Sequence, residues 1–154
     1  DIFDFSSGGY KSMMFRNVNS GGSTAQANGF VDTDFPLFRA ADAYLMLAEC
    51  AARGAADKTK GLDALNAVRD RAGIAALSSF DAQDVLNERG RELLWEGHRR
   101  SDLIRFGQFT TADYLWEYKG SVKEGVAVAD YRNLFPLPPA DVNANSNLKQ
   151  NAGY

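Results

Sequence analysis

The sequence predicts a mainly α-helical protein built from successive helix hairpins and flanked by irregular segments. Three observations predict it. Between about residues 37 and 107, apolar residues recur at three- and four-residue intervals, in blocks that each stop near a glycine. On both sides of that region glycine, serine and proline interrupt every run. The 154 residues, 45% of them hydrophobic and 24% charged, suffice for one ordinary domain with a real core. The chain divides accordingly into an irregular lead-in at 1–36, two helix hairpins at 37–107, and a loop-rich segment of the same domain at 108–154.

Within the lead-in, Gly8-Gly9, Ser20-Gly21-Gly22-Ser23 and Asn28-Gly29 mark breaks, and Tyr10 to Arg16 reads as a short strand. The Gly/Ser loop is expected to be mobile. Phe38, Ala41, Leu45, Ala48 and Ala52 then recur at helical spacing, and Gly54 is placed to end that helix. Leu62, Leu65, Val68 and Ala72 mark the face of a second helix that ends at Gly73. The short connection predicts an antiparallel hairpin whose small residues permit close approach. Asp81 and Asp84 resemble the cap and first-turn acid of a third helix running to about Glu96. A fourth runs from about Arg99 to Phe106, where Asp102 can meet Arg99 and Arg105. The Leu134 to Pro139 stretch is predicted extended, since each proline displaces its predecessor from helical backbone angles, and a short helix is expected after it.

A net charge of −3 gives no electrostatic case for nucleic acid or for an anionic membrane surface. No apolar run is long enough to span a bilayer. Cys50, the only cysteine, can form no internal disulfide and is expected to be a buried thiol on the first helix. The chain starts Asp-Ile-Phe without an initiator methionine, so it reads as a processed product or a piece of a longer protein.

Chemistry concentrates in Glu88 to Gly107, where Arg, Glu and Asp crowd two short helical patterns separated by Gly97. On a helical plot Val85, Leu86 and Leu93 form the apolar side of the first pattern. Arg89 falls in its middle, with Glu92 and Glu96 at its edge. An arginine on a core face must bring partners, because an unpaired buried charge is very costly. Glu88, Glu92 and Glu96 have the residue type a glycoside hydrolase needs, two acids flanking a sugar. Their interleaving with Arg89 and Arg91 favours ionised, paired carboxylates over a proton donor, and hence a structural ion network of Arg89, Glu92, Glu96 and Asp102. With one histidine, His98, and one cysteine there is no multi-His or thiolate metal set, and no nucleotide-binding or nucleophile-elbow motif occurs. No cofactor or metal is expected. Tyr114, Trp116 and Tyr118 are the other candidates. Their faces can stack on the C–H faces of a sugar, though packing over the helices is the stronger reading from the residues alone.

The succession FPLFRAADAYLMLAECA (35–51), ALNAVRDRAG (64–73), ERGRELLWEGHRRSDLIRFG (88–107), NLFPLPPADVNAN (133–145) and NLKQNAGY (147–154) resembles the C-terminal part of the SusD/RagB family. These are surface glycan-binding lipoproteins of Bacteroidetes. GYKSMMFRNV (9–18) is similar to what precedes the helices there, and Ala152 stands where the family usually has proline. The resemblance implies a longer parent with an N-terminal lipid anchor outside this chain, at the outer-membrane cell surface. It also implies tetratricopeptide-like helix pairs as a scaffold, and noncatalytic oligosaccharide binding beside a SusC-like, TonB-dependent outer-membrane transporter. Trp116 and Tyr118 carry over as candidate glycan contacts in this chain. The alternatives are a helical protein-interaction module without glycan binding and, less favoured, a glycoside hydrolase using Glu92 and Glu96.

Overall fold

The computed structural model describes residues 21–23 and 36–154. The strand expected at Tyr10 to Arg16, and most of the lead-in, lie outside the described residues. Contacts divide the chain into two compact units, Asp1–Arg39 and Ala40–Tyr154. The second carries α1 (Ala40–Ala52), α2 (Lys58–Arg71), α3 (Ala82–Glu92), α4 (Arg99–Arg105) and α5 (Pro139–Ala144), with 3-10 turns at Lys119–Ser121 and Asp130–Asn133. Every regular element among the described residues is helical.

The hairpin of α1 and α2 is built on small residues. Leu45, Ala48 and Ala51 of α1 are buried against Gly61, Leu65 and Val68 of α2. A Cβ added at Gly61 would stand 2.2 Å from the Ala51 Cβ and 3.1 Å from the Phe80 ring. The helices therefore touch where neither has a side chain to spare. Phe80 and Val85 close this core from the α3 side. The connections are fixed by polar side chains. Asp57 accepts from the Lys60 amide at 2.8 Å to cap α2. Asn66 both donates to the Leu77 carbonyl (2.9 Å) and accepts from its amide (2.8 Å), which pins the link to α3. Asp81 and Asp84 form a reciprocal capping box at the start of α3, with bonds of 2.9 and 3.0 Å.

Several boundaries differ from the sequence expectation. Phe38 precedes α1 and is 91% exposed, so it is not part of the helical face that its spacing suggested. Ala72, counted on the buried face of α2, is exposed beyond the helix end. Cys50 is exposed, not a buried thiol: Leu45, Ala48, Glu49 and Ala51 take the inward positions of α1, which turns Cys50 outward. The third helix stops at Glu92 instead of reaching Glu96. Trp95 adopts a left-handed backbone (φ 66°), and the Glu96 amide donates to the Leu93 carbonyl in a tight turn. Apolar spacing continues through that turn, so periodicity alone does not reveal the break.

Beyond α4 the chain is held by side-chain-to-backbone bonds. Gln150 donates to the Leu137 carbonyl (2.9 Å) and accepts from its amide (2.8 Å). Asn151 donates to the Phe135 carbonyl (2.7 Å), and the Tyr154 hydroxyl donates to that of Leu134 (2.8 Å). The tail is thereby laid along 134–137. Gly153 (φ 100°) makes this possible, because a Cβ there would fall 2.4 Å from the Tyr131 ring. Leu134 and Pro138 have extended backbone angles, and Pro139 opens α5 at the position where a missing amide costs nothing.

Candidate functional site

The charge-dense Glu88–Gly107 stretch folds inward. Arg89 is 3% exposed; its Nε donates to Asp102 of α4 at 2.9 Å and its Nη1 to Asp42 of α1 at 2.7 Å. Asp102, 1% exposed, also accepts from Arg105 at 2.7 Å. Arg105 in turn clamps Glu49 of α1 with two bonds of 2.9 Å, and Arg53 joins at 3.0 Å. On the other side Glu88 binds Arg69 of α2 (2.8 Å) and Arg91 (2.6 Å), while Arg71 pairs with Glu92. Carboxylates and guanidiniums thus link α1, α2, α3 and α4. Burial alone would raise the Glu49 carboxyl, but Arg105 and Arg53 outweigh it and hold it below the ordinary 4.5. The Arg105 guanidinium is pushed up chiefly by its bond to Glu49.

Of the residues expected in the network, Arg89 and Asp102 meet directly. Glu92 faces Arg71 at the α2–α3 contact instead, and Glu96 is buried in the turn after α3. Asp42, Glu49 and Glu88 belong to the same linkage; Asp42 lies 47 residues from Arg89, beyond the reach of any local spacing rule. Among the described residues no group of three or more His, Cys, Asp or Glu could hold a metal ion.

The aromatic trio is divided between two hollows, although the Tyr114 and Trp116 ring centroids lie only 6.2 Å apart, with the rings tilted by 50°. Tyr114 lies under the Arg99 guanidinium (4.6 Å) and lines a groove of about 610 Å³ with Leu94, Trp95 and Arg91. Trp116 and Tyr118 line a separate cleft of about 270 Å³ with Phe135, Tyr154, Arg100 and Arg132. Trp116 is stacked on Phe109 (5.8 Å between centroids) and is still 40% exposed; Tyr118 is 48% exposed.

Beneath the cleft Lys119 is only 2% exposed. Its ammonium donates to the carbonyls of Thr111 (2.5 Å) and Tyr114 (2.7 Å) and lies 4.8 Å from the Trp116 ring centroid. Burial pushes this lysine below its ordinary value, opposed by Asp113. It ties the 111–119 loop into one shape and so sets where Trp116 stands. Sequence reasoning missed Lys119, Arg100, Phe135 and Tyr154 as parts of the cleft. The tail that brings Tyr154 there is fixed by Gln150 and Asn151, which carry no recognisable periodicity.

A sequence profile of the SusD family matches residues 2–154. The chain belongs to the SusD family. The starch-binding protein SusD of Bacteroides thetaiotaomicron is 42% identical to this SusD-family chain over 147 residues, which is 95% of the chain and 26% of that relative. Surface glycan-binding protein A from Bacteroides thetaiotaomicron superposes with a TM-score of 0.67 at 25% identity, covering 79% of this chain and 25% of that one. The same protein in complex with laminarihexaose gives a TM-score of 0.66, again at 25% identity over 79% of this chain and 25% of that one. Its counterpart from Bacteroides uniformis gives 0.67 at 29% identity, over 79% of this chain and 28% of that one. The chain therefore spans about a quarter of the length of the SusD-family relatives it matches.

Proposed function

We propose that this chain is the C-terminal scaffold part of a noncatalytic glycan-binding protein. The observation that carries the reading is its 42% identity, along 95% of its length, to a protein named for starch binding. The SusD-family neighbour with laminarihexaose bound supports an oligosaccharide as ligand class. In this reading the helices form a rigid frame and Trp116 and Tyr118 stack on sugar rings at the cleft. The whole protein is anchored through a lipid outside this chain and delivers its ligand to a SusC-like, TonB-dependent outer-membrane transporter. Binding without cleavage fits the acids present: Glu92 is engaged by Arg71, and Glu88 by Arg69 and Arg91.

Calorimetric titration against a panel of plant and host polysaccharides tests the reading. Binding of at least one glycan, without release of reducing sugar, is the expected result. Absence of binding to any glycan, together with a stable complex with some other protein, would replace it with a protein-interaction module. Reducing sugar that disappears in Glu92→Gln or Glu96→Gln would replace it with a glycoside hydrolase.

A further inference from the structure

The walls of the Trp116 cleft are unusual in what they offer a sugar. Apart from the tyrosine hydroxyls and the Trp116 indole N–H, its polar side chains among the described residues are Arg100, Arg132 and Lys119, with no carboxylate or amide side chain among them. Arg100 is held in place: Nη2 donates to the carbonyls of Arg132 (2.8 Å) and Asn133 (3.2 Å). Its guanidinium carbon lies 3.8 Å from the Phe135 ring centroid and 4.9 Å from that of Phe109. Among the described residues Nε and Nη1 of Arg100 have no acceptor, and it makes no ion pair. Arg132 rests over the Tyr131 ring at 5.5 Å, and among the described residues its guanidinium makes neither a hydrogen bond nor an ion pair. These two arginines contrast with Arg53, Arg69, Arg71, Arg89, Arg91 and Arg105, each of which is ion-paired.

A neutral sugar hydroxyl both donates and accepts, so a site built for it supplies acceptors as well as donors. The side chains of this cleft supply almost only donors, two of them planar guanidinium forks beside aromatic faces. Such forks match an oxyanion, which accepts bidentate bonds and gains from the charge. We infer that the cleft takes a sugar unit bearing an oxyanion, either the carboxylate of a hexuronic acid or a sulfate ester, with Arg100 and Arg132 as the recognising groups. The inference rests on the glycan-binding reading and specifies its ligand class at this cleft.

The test is titration of the protein with an oligogalacturonide, a sulfated oligosaccharide and neutral laminarihexaose. At least one acidic ligand should bind about tenfold or more tighter than the neutral one. That advantage should shrink as salt is raised, because the Arg132 fork is exposed. Arg132→Gln, a change at an exposed side chain, should remove the advantage and leave the melting temperature unchanged. Equal or tighter binding of the neutral ligand overturns the inference and leaves the glycan reading standing, as does an acidic preference that persists in Arg132→Gln. No binding to any of the three, nor to any other glycan, overturns both.

Discussion

Arg89 shows how one residue can join elements that lie far apart in sequence. Its Nε and Nη1 reach carboxylates on two different helices, Asp102 and Asp42, inside a site 3% exposed. The planar guanidinium does this from two separate nitrogens, one aimed at each carboxylate. Arg89→Ala leaves Asp102 and Asp42 facing a desolvated gap, and should lower stability by about 3–5 kcal/mol, read from chemical denaturation. A fully stable Arg89→Ala protein would show that the buried linkage contributes nothing. The inward position of Arg89 was legible from the helical plot, and the Asp102–Arg105 contact from three-residue spacing. Asp42 was not, because its partner is set by how α1 crosses α3. Lys119 was invisible for a related reason: its burial depends on two loop carbonyls, and a lysine beside a glycine reads as surface.

At the scale of the elements, close approach of α1 and α2 is the feature that sequence disclosed best. The alanine-rich faces predicted it, and the 2.2 Å contact that a Cβ at Gly61 would make with Ala51 shows how little room remains. Alanine normally improves a helix by up to about 1 kcal/mol over glycine. Here the overlap with a neighbouring Cβ forces the helices apart, so Gly61→Ala should instead cost about 1–3 kcal/mol, measurable as a lowered denaturation midpoint. The end of α3 was the least legible boundary. Nothing in Leu93-Leu94-Trp95 announces a left-handed tryptophan, and the apolar spacing runs on past it. The 134–154 latch was half legible: proline fixed the extended entry and the start of α5, whereas the bonds of Gln150, Asn151 and Tyr154 follow from tertiary placement.

Across the whole molecule, the linked charges tie stability to pH. Arg105 and Arg53 hold Glu49 below 4.5, so as the medium is acidified the unfolded chain takes up its proton first. The stabilisation from Glu49 is therefore present above about 4.5 and is lost as pH falls through the lower folded value. Acid unfolding followed by circular dichroism should show this loss, and Glu49→Gln should be less stable at neutral pH with a shallower acid limb. None of this touches the cleft, which is why scaffold and ligand recognition separate in the account. The segment richest in charge holds the helices together, whereas Trp116 and Tyr118, the residues proposed to stack on sugar, lie on the separate 109–135 region.

The most direct measurement is the affinity of an oligosaccharide for Trp116→Ala beside the unaltered protein, by isothermal titration, with thermal melts of both. Loss of one stacking face should weaken binding by about tenfold, the roughly 1.4 kcal/mol that an aromatic contact supplies, while the melting temperature of the helical frame stays the same. Undiminished affinity in Trp116→Ala would contradict the account and place the sugar somewhere other than this cleft.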